Sequence, residues 1–234
     1  VLKVFDVISI QQISTQTKEG KPYTLNSTTV EPLFGYWNHQ FVKVYRPLSK
    51  QRFLYIGQKA EEYVFGLAQL PARGDVLFLT GGEKDVMSLY AHGFHAICFN
   101  SETAHIPTDL IRKLSFRFRH IVLLYDVDKA GKTAMELHVQ NLKEFNVKEL
   151  HLPLTGHKTD KDVSDFFRVG HQANDLKRLF HQLLETLYAQ TFAMLKSCEI
   201  DFNNPPQTPQ PLITIRDVTV GSAGNLLGIT GNEG

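Results

Sequence analysis

With 234 residues, 42% of them apolar and 21% charged, the chain has the composition of a folded globular protein with one core of ordinary size or two small ones. No apolar run approaches the roughly 20 residues that span a bilayer, no secretory leader is legible, and Cys98 and Cys198 make neither a disulfide framework nor a CxxC zinc pair, all of which suits a reduced, cytoplasmic setting. The formal net charge is only +1, so any contact with nucleic acid has to come from local patches.

The chain begins at Val1 and stops at Gly234 inside a loop-like stretch, so it reads as a piece of a longer protein. Residues 1 to about 70 alternate apolar and polar side chains in short runs broken by turn formers such as Lys18-Glu-Gly-Lys-Pro22, which predicts a small, mainly antiparallel β subdomain. In Phe41-Val-Lys-Val-Tyr-Arg46 the strict period of two puts Phe41, Lys43 and Tyr45 on one face. Lys43, Arg46, Lys50, Arg52 and Lys59 fall between Phe41 and Ala60 with no acid among them, interleaved with Tyr45, Phe53 and Tyr55. Two readings fit: a groove that tracks a nucleic-acid backbone and stacks bases, or a solvated edge hairpin protected by charge.

From residue 76 the pattern switches to strands alternating with helices. Val76–Thr80, Ala96–Phe99, Ile121–Tyr125 and Glu149–Leu152 are short apolar runs suited to buried parallel strands. Helical segments are predicted between them, at 83–92, 107–118 and 129–145. Repeated βα units imply a parallel sheet with right-handed crossovers, and such sheets bind ligands at the carboxyl ends of their strands. Two acidic turns sit at those ends: Gly81-Gly-Glu83-Lys-Asp85 after the first strand, and Asp126-Val-Asp128 after the third. Asp126 also reads as a plain strand end, and Asp128 as a helix cap. Together, however, they form a pair of carboxylates that repel unless a cation lies between them, and oxygen-only sites suit Mg²⁺.

Residues 172–197 carry apolar side chains at helical spacing, so one or two helices that pack on something. Asn203-Asn-Pro-Pro-Gln-Thr-Pro-Gln-Pro211 is a linker, because its prolines exclude helix and central strand. Strand-like Leu212–Val220 and Leu226–Thr230 follow, and the chain ends in Gly231-Asn-Glu-Gly234, the way a phosphate-binding loop begins. Ala130-Gly-Lys-Thr133 looks like the tail of such a loop but has Asp126 where the partner glycine is needed. His92, His95 and Cys98 lack a fourth ligand and read as ordinary surface and core residues. Arg112, Lys113, Arg117 and Arg119 form a basic face read as solvated.

The acidic turn, the Asp-x-Asp and the run Lys161-Asp162-Val-Ser-Asp165-Phe, in that order, resemble a Toprim domain, the fold shared by bacterial-type primases, topoisomerases and some nucleases. The resemblance is strongest to primases and to phage-, plasmid- or mobile-element-type primase–helicases. Arg52-Phe53 and Phe65-Gly66-Leu67 look like the basic-aromatic and FGL elements that join their N-terminal subdomain to the Toprim fold. The resemblance implies an α/β architecture in which a Toprim-type parallel sheet flanked by helices follows the small β subdomain. It divides the chain into the β subdomain (1–70), the Toprim domain (71–170), a helical segment (171–200), the Pro-rich linker (201–211) and the truncated start of a RecA-like helicase domain (212–234).

In function, the resemblance implies primer synthesis in DNA replication: a nucleotidyltransferase acting with Mg²⁺ or Mn²⁺ on a single-stranded DNA template and ribonucleoside triphosphates, coupled to a C-terminal helicase and with no membrane partner. Asp126, Asp128 and Asp162 would hold metal, and Glu83 and Asp85 would serve as acid/base or as a further ligand. Lys84 and Lys132 would meet phosphates, while Arg46, Lys50 and Arg52 would grip template or incoming nucleotide. For Asp165 a helix-capping role is the expectation. One departure stands out: the family's first motif reads Glu-Gly-x-x-Asp, and aligned on Asp85 the glutamate position is Gly81. Either Glu83, displaced by two residues, or Glu102 in Asn100-Ser-Glu-Thr103 would have to replace it. Two rival readings follow: a degenerate Toprim module that binds DNA without making primers and, behind it, a Toprim nuclease.

Overall fold

The computed structural model describes residues 1–16, 20–38, 41–57, 63–197 and 211–222. The chain divides into two units, Val1–Leu183 and Leu184–Gly234.

The first unit begins with six short strands: β1 (Val7–Ile10), β2 (Gln12–Gln16), β3 (Pro22–Asn26), β4 (Leu33–Asn38), β5 (Phe41–Tyr45) and β6 (Phe53–Gly57). β2 and β3 form a separate hairpin, while β1, β4, β5 and β6 form an antiparallel sheet in the order β1-β4-β5-β6. The alternation of β5 explains how this sheet is used. Val44 joins Ile13 and Leu33 in a small core, with Val42, Leu54 and Ile56 packed against it. Phe41, Lys43 and Tyr45 therefore share the opposite face, and on that face Phe41 and Lys43 are buried.

The second part of this unit is a parallel sheet. β7 (Gly74–Thr80) is followed by α1 (Glu83–Ala91), β8 (His95–Cys98), α2 (Thr108–Ser115), β9 (Phe118–Leu124), α3 (Lys129–Asn141), β10 (Lys148–Glu149) and α4 (Val163–Arg168). All pairings are parallel, in the order β10-β9-β7-β8. This is the expected α/β architecture, with β10 shorter than the Glu149–Leu152 run suggests and starting one residue earlier. β7 lies at the centre, so it is buried on both faces and reads as an unbroken apolar run. Leu77 and Leu79 pack with Ile121, Leu123, Ile111, Leu114 and Met135, while Phe78 between them meets Phe94 edge-on.

Phe65-Gly66-Leu67 joins the two sheets. Phe65 exchanges backbone hydrogen bonds with Cys98 at 2.9 and 3.1 Å, adding to the free edge of β8, and its ring packs on Phe5 and Tyr36. Gly66 has φ +89°, and a Cβ there would stand 2.7 Å from the Ala96 carbonyl, so only glycine lets the chain pass so close.

α5 (Ala173–Ser197) is one long helix. Its Leu176 and Phe180 are buried in the first unit. Within the second unit, the segment read as one strand over Leu212–Val220 is a hairpin of β11 (Pro211–Ile215) and β12 (Val218–Ser222). Its two-residue turn is Arg216-Asp217, both at positive φ. Turns of this kind are signalled by Asn or Gly, so an Arg-Asp pair hides them. The linker up to residue 210, Leu226–Thr230 and the terminal glycine loop lie outside the described residues. Among the described residues no helix is long and apolar enough to cross a membrane.

Candidate functional site

The carboxyl ends of β7, β8 and β9 open onto one cleft of about 390 Å³. After β7 the chain turns through Gly81 and Gly82 into α1, whose first turn carries Glu83 and Asp85, acids placed where the helix dipole favours them. Glu83 is buried and points to the N-terminal sheet: the Lys43 ammonium donates to its Oε1 at 2.6 Å and to the Asn100 carbonyl at 3.1 Å. Asp85 is buried too, and its Oδ1 accepts from the backbone N–H and the hydroxyl of Ser164, at 3.1 and 2.8 Å. Burial, followed by the nearby Asp162 charge, pushes the Asp85 carboxyl up to about 7, against the opposing pull of Lys84 and Ser164.

Asp126 follows β9, and Asp128 caps α3 by accepting from the Gly131 N–H. Gly131 is required here. A Cβ at that position would lie 2.1 Å from the Asp126 carbonyl oxygen, because the first turn of α3 is folded directly onto it. The two aspartates share one ammonium: Lys161 Nζ stands 2.5 Å from Asp126 Oδ2 and 2.7 Å from Asp128 Oδ2. Burial and the charges of Asp162 and Asp128 hold the Asp126 carboxyl above its usual range despite that bond. The Gly131 N–H and then Lys161 hold the Asp128 carboxyl below it. Asp162 caps α4 through Oδ1, accepting from the Asp165 N–H, and pairs with Lys84 through Oδ2 at 2.7 Å. Asp165 itself accepts from the Lys161 N–H and from Arg168.

Asp85, Asp126 and Asp162 each offer a carboxylate oxygen, and these lie within 4.8 Å of one another. They are the one group of three or more metal-capable side chains among the described residues. Of the residues expected to hold metal, Asp126 and Asp162 are thus together, Asp85 stands with them, and Asp128 spends its oxygens on the cap and on Lys161. The set suits a hard divalent cation: it is all oxygen, and the Asp162 charge that adds to burial in raising Asp85 is what a cation would offset.

Glu102 sits on the floor of the same cleft. Its Oε1 accepts from the Asp126 N–H at 2.9 Å. Burial, then the Asp126 charge, pushes its carboxyl up to about 7. A Cβ built on Gly81 would meet Glu102 Oε1 at 2.5 Å, Cγ at 2.8 Å and Cδ at 3.0 Å.

The N-terminal β subdomain lines the cleft with Tyr45, Arg52, Phe53 and Tyr55, while Lys84 of α1 lies on the acidic side, paired with Asp162. Tyr45 and Phe53 are stacked at 5.3 Å, and Lys43 lies over the Phe53 ring at 4.6 Å. Of the other expected basic contacts, Arg46 lies 3.8 Å from Glu31, while Lys50 and Lys132 are exposed, and none of the three lines the cleft. Lys59 lies outside the described residues. Elsewhere, His92 stacks on Phe167 and bonds the Ser88 carbonyl, and Arg117 donates to the Leu70 and Pro71 carbonyls.

Sequence reasoning missed Lys43, Lys161 and Ser164 as members of the site. Lys161 and Ser164 lie within the quoted third acidic run, so their position was a signal. Lys43 was read with its basic neighbours as part of a nucleic-acid groove or a solvated edge hairpin, and nothing local marks it as the partner of a buried acid.

Residues 78–167 match the family described as Toprim-like. This stretch is a Toprim domain. No curated protein sequence matches the chain. Among solved structures, the fold is similar to that of a DnaG primase catalytic domain bound to single-stranded DNA, at TM-score 0.52 and 15% identity, covering 82% of this chain and 64% of that one. It is also similar to a DNA primase domain from Pseudomonas aeruginosa, at TM-score 0.52 and 18% identity over 76% and 59% of the two chains. The E. coli primase catalytic core aligns at TM-score 0.50 and 18% identity, over 83% and 64%. The chain spans less than two thirds of the length of each of these, and at such identities the likeness is one of fold. The Toprim domain and the sheet before it share the architecture of primase catalytic cores.

Proposed function

We propose that this chain is the primer-synthesis core of a cytoplasmic primase–helicase, joining ribonucleoside triphosphates on a single-stranded DNA template with Mg²⁺ or Mn²⁺, its 212–234 segment leading into the helicase domain. The observation that carries this reading is the convergence of Asp85, Asp126 and Asp162 on a cleft that the N-terminal β subdomain lines with basic and aromatic side chains.

Asp85, Asp126 and Asp162 would hold the metal. A divalent cation there would neutralise charge on the transferring α-phosphate and on the departing pyrophosphate. The protein's own groups do the rest. Ser164 and the α4 cap fix the Asp85 and Asp162 carboxylates, so they meet an ion without reorganising. Lys84 pairs with Asp162 and Lys161 with Asp126, and both are free to meet phosphate oxygens once a cation displaces them. Arg52 offers charge to a nucleic-acid backbone, and Phe53 and Tyr55, both partly exposed, offer faces to bases. Glu83, committed to Lys43, acts as the strut that fixes the wall to the metal side rather than as a proton carrier.

Gly81 favours a second reading, a Toprim module that binds single-stranded DNA and couples to the helicase without synthesis. Incubating the full-length protein with a single-stranded template, labelled ribonucleotides and Mg²⁺ or Mn²⁺ separates the two. The primase reading expects short primers that vanish in Asp126→Asn/Asp162→Asn. DNA binding with no primers under any metal would leave the binding module.

A further inference from the structure

The geometry points to Glu102 as the proton acceptor of the site, a carboxylate delivered from the loop after β8 into the space that a side chain at position 81 would otherwise fill. The inference rests on the primase reading and adds to it a residue outside the acidic turns.

Three observations carry it. First, Glu102 and any side chain at position 81 exclude each other: a single Cβ on Gly81 would already overlap the Glu102 carboxylate and its Cγ. The carboxylate thus stands at the end of β7, beside Asp126 and on the cleft floor. Second, the other acids of the cleft are committed. Glu83 is bound by Lys43, Asp85 by Ser164, Asp126 by Lys161, and Asp162 by Lys84 and the α4 cap. Glu102 makes no ion pair among the described residues, and its side chain is held by the Asp126 N–H. Third, the loop that delivers it is pinned by three bonds from two sides. Lys43 and Tyr55 bond the Asn100 carbonyl and side chain from the N-terminal sheet, and His138 of α3 bonds the Glu102 carbonyl at 2.9 Å. A carboxylate with a fixed backbone and no counter-ion has the placement a general base needs.

In the step, the O–H bond of the 3′-hydroxyl breaks and its proton passes to a Glu102 carboxylate oxygen. The freed electron pair forms the O–P bond at the α-phosphorus, and the bond from that phosphorus to the bridging oxygen breaks, its pair leaving with pyrophosphate.

The test is a swap in the full-length protein, reading primer synthesis and, separately, Mn²⁺ binding by calorimetry. Glu102→Gln keeps the bond from Asp126 and loses the charge. It is expected to lower synthesis about 100-fold or more with Mn²⁺ affinity changed less than about fivefold. Glu102→Ala should lose as much, and Gly81→Glu added to it should restore at least about tenfold, because the carboxylate returns to the same point from the other strand. Synthesis by Glu102→Gln within threefold of wild type would overturn the assignment. So would a Gly81→Glu/Glu102→Ala protein that binds Mn²⁺ but stays as inactive as Glu102→Ala, or parallel collapse of synthesis and Mn²⁺ binding in Glu102→Gln. A wild type that makes no primers would instead remove the primase reading, and this inference with it.

Discussion

Lys43 Nζ lies 2.6 Å from Glu83 Oε1, a buried ion pair that links two residues 40 positions apart and locks the N-terminal sheet onto the first helix of the Toprim domain. Taking two charges out of water is costly, and removing one partner leaves the other uncompensated. Lys43→Met should therefore lower unfolding free energy by about 3–5 kcal/mol. Lys43→Met with Glu83→Leu should recover most of that, as read by urea denaturation. A single variant as stable as wild type would mean that the pair does not hold the two parts together.

The contribution of Asp85 and Glu102 to the stability of the metal-free protein should fall as pH rises from 5 to 8, against the opposite slope from His95, His120 and His138, which burial holds below their ordinary values. Asp85 and Glu102 both titrate near 7 in the folded protein, above their ordinary values. A carboxyl whose folded value is raised binds its proton more tightly in the native state, so its stabilising contribution is present in full below the ordinary carboxylate range and is lost as pH rises through about 7. Mn²⁺ should reverse the trend by favouring the ionised forms. Asp85→Asn should remove its share of that fall, read as the difference between variant and wild-type melting temperatures across the pH range. An unchanged slope in that variant would remove Asp85 as its source.

Gly131→Ala tests the fit of α3 on the strand end. The added methyl would sit 2.1 Å from the Asp126 carbonyl oxygen, so helix or strand must move. We expect a loss of about 3 kcal/mol, at the upper end of overpacking costs, together with weaker Mn²⁺ binding because Asp126 moves too. Thermal denaturation and calorimetry read the two effects. Neutral behaviour in both would contradict the close approach.

Arg52→Ala should weaken single-stranded DNA binding evenly across sequences and lower the salt dependence of the binding constant by about 0.7 in the log–log slope, the share of one phosphate contact on a single strand. Lys132→Ala, which changes an exposed residue outside the cleft, should leave the slope unchanged. Equal slopes for all three proteins, by fluorescence anisotropy over a salt series, would place the DNA elsewhere.

The parallel sheet was legible because β7, β8 and β9 carry short buried apolar runs and the crossovers between them are helices with their own period, whereas β10, only Lys148–Glu149, carries no such run. Asp126 and Asp162 were legible because strand ends and short acidic runs mark themselves. Glu102 stood out as an alternative only because position 81 lacks an acid. What hid from sequence was pairing across distance. Nothing local says that Lys43 reaches Glu83, that Lys161 bridges Asp126 and Asp128, or that Ser164 donates to Asp85. A basic residue in a period-two strand looks solvated until its partner, tens of residues away, is folded against it. The Arg216-Asp217 turn stayed hidden for the opposite reason, since a local conformation is adopted there by residues that rarely announce it.

The account stands on a divalent cation held among Asp85, Asp126 and Asp162. Manganese soaked into crystals of the protein tests this directly through anomalous scattering. The account predicts a peak bounded by those three carboxylates, with the Lys161 ammonium displaced from Asp126. Density with Lys161 still seated between Asp126 and Asp128, and manganese absent from the three carboxylates at saturating concentration, would contradict it.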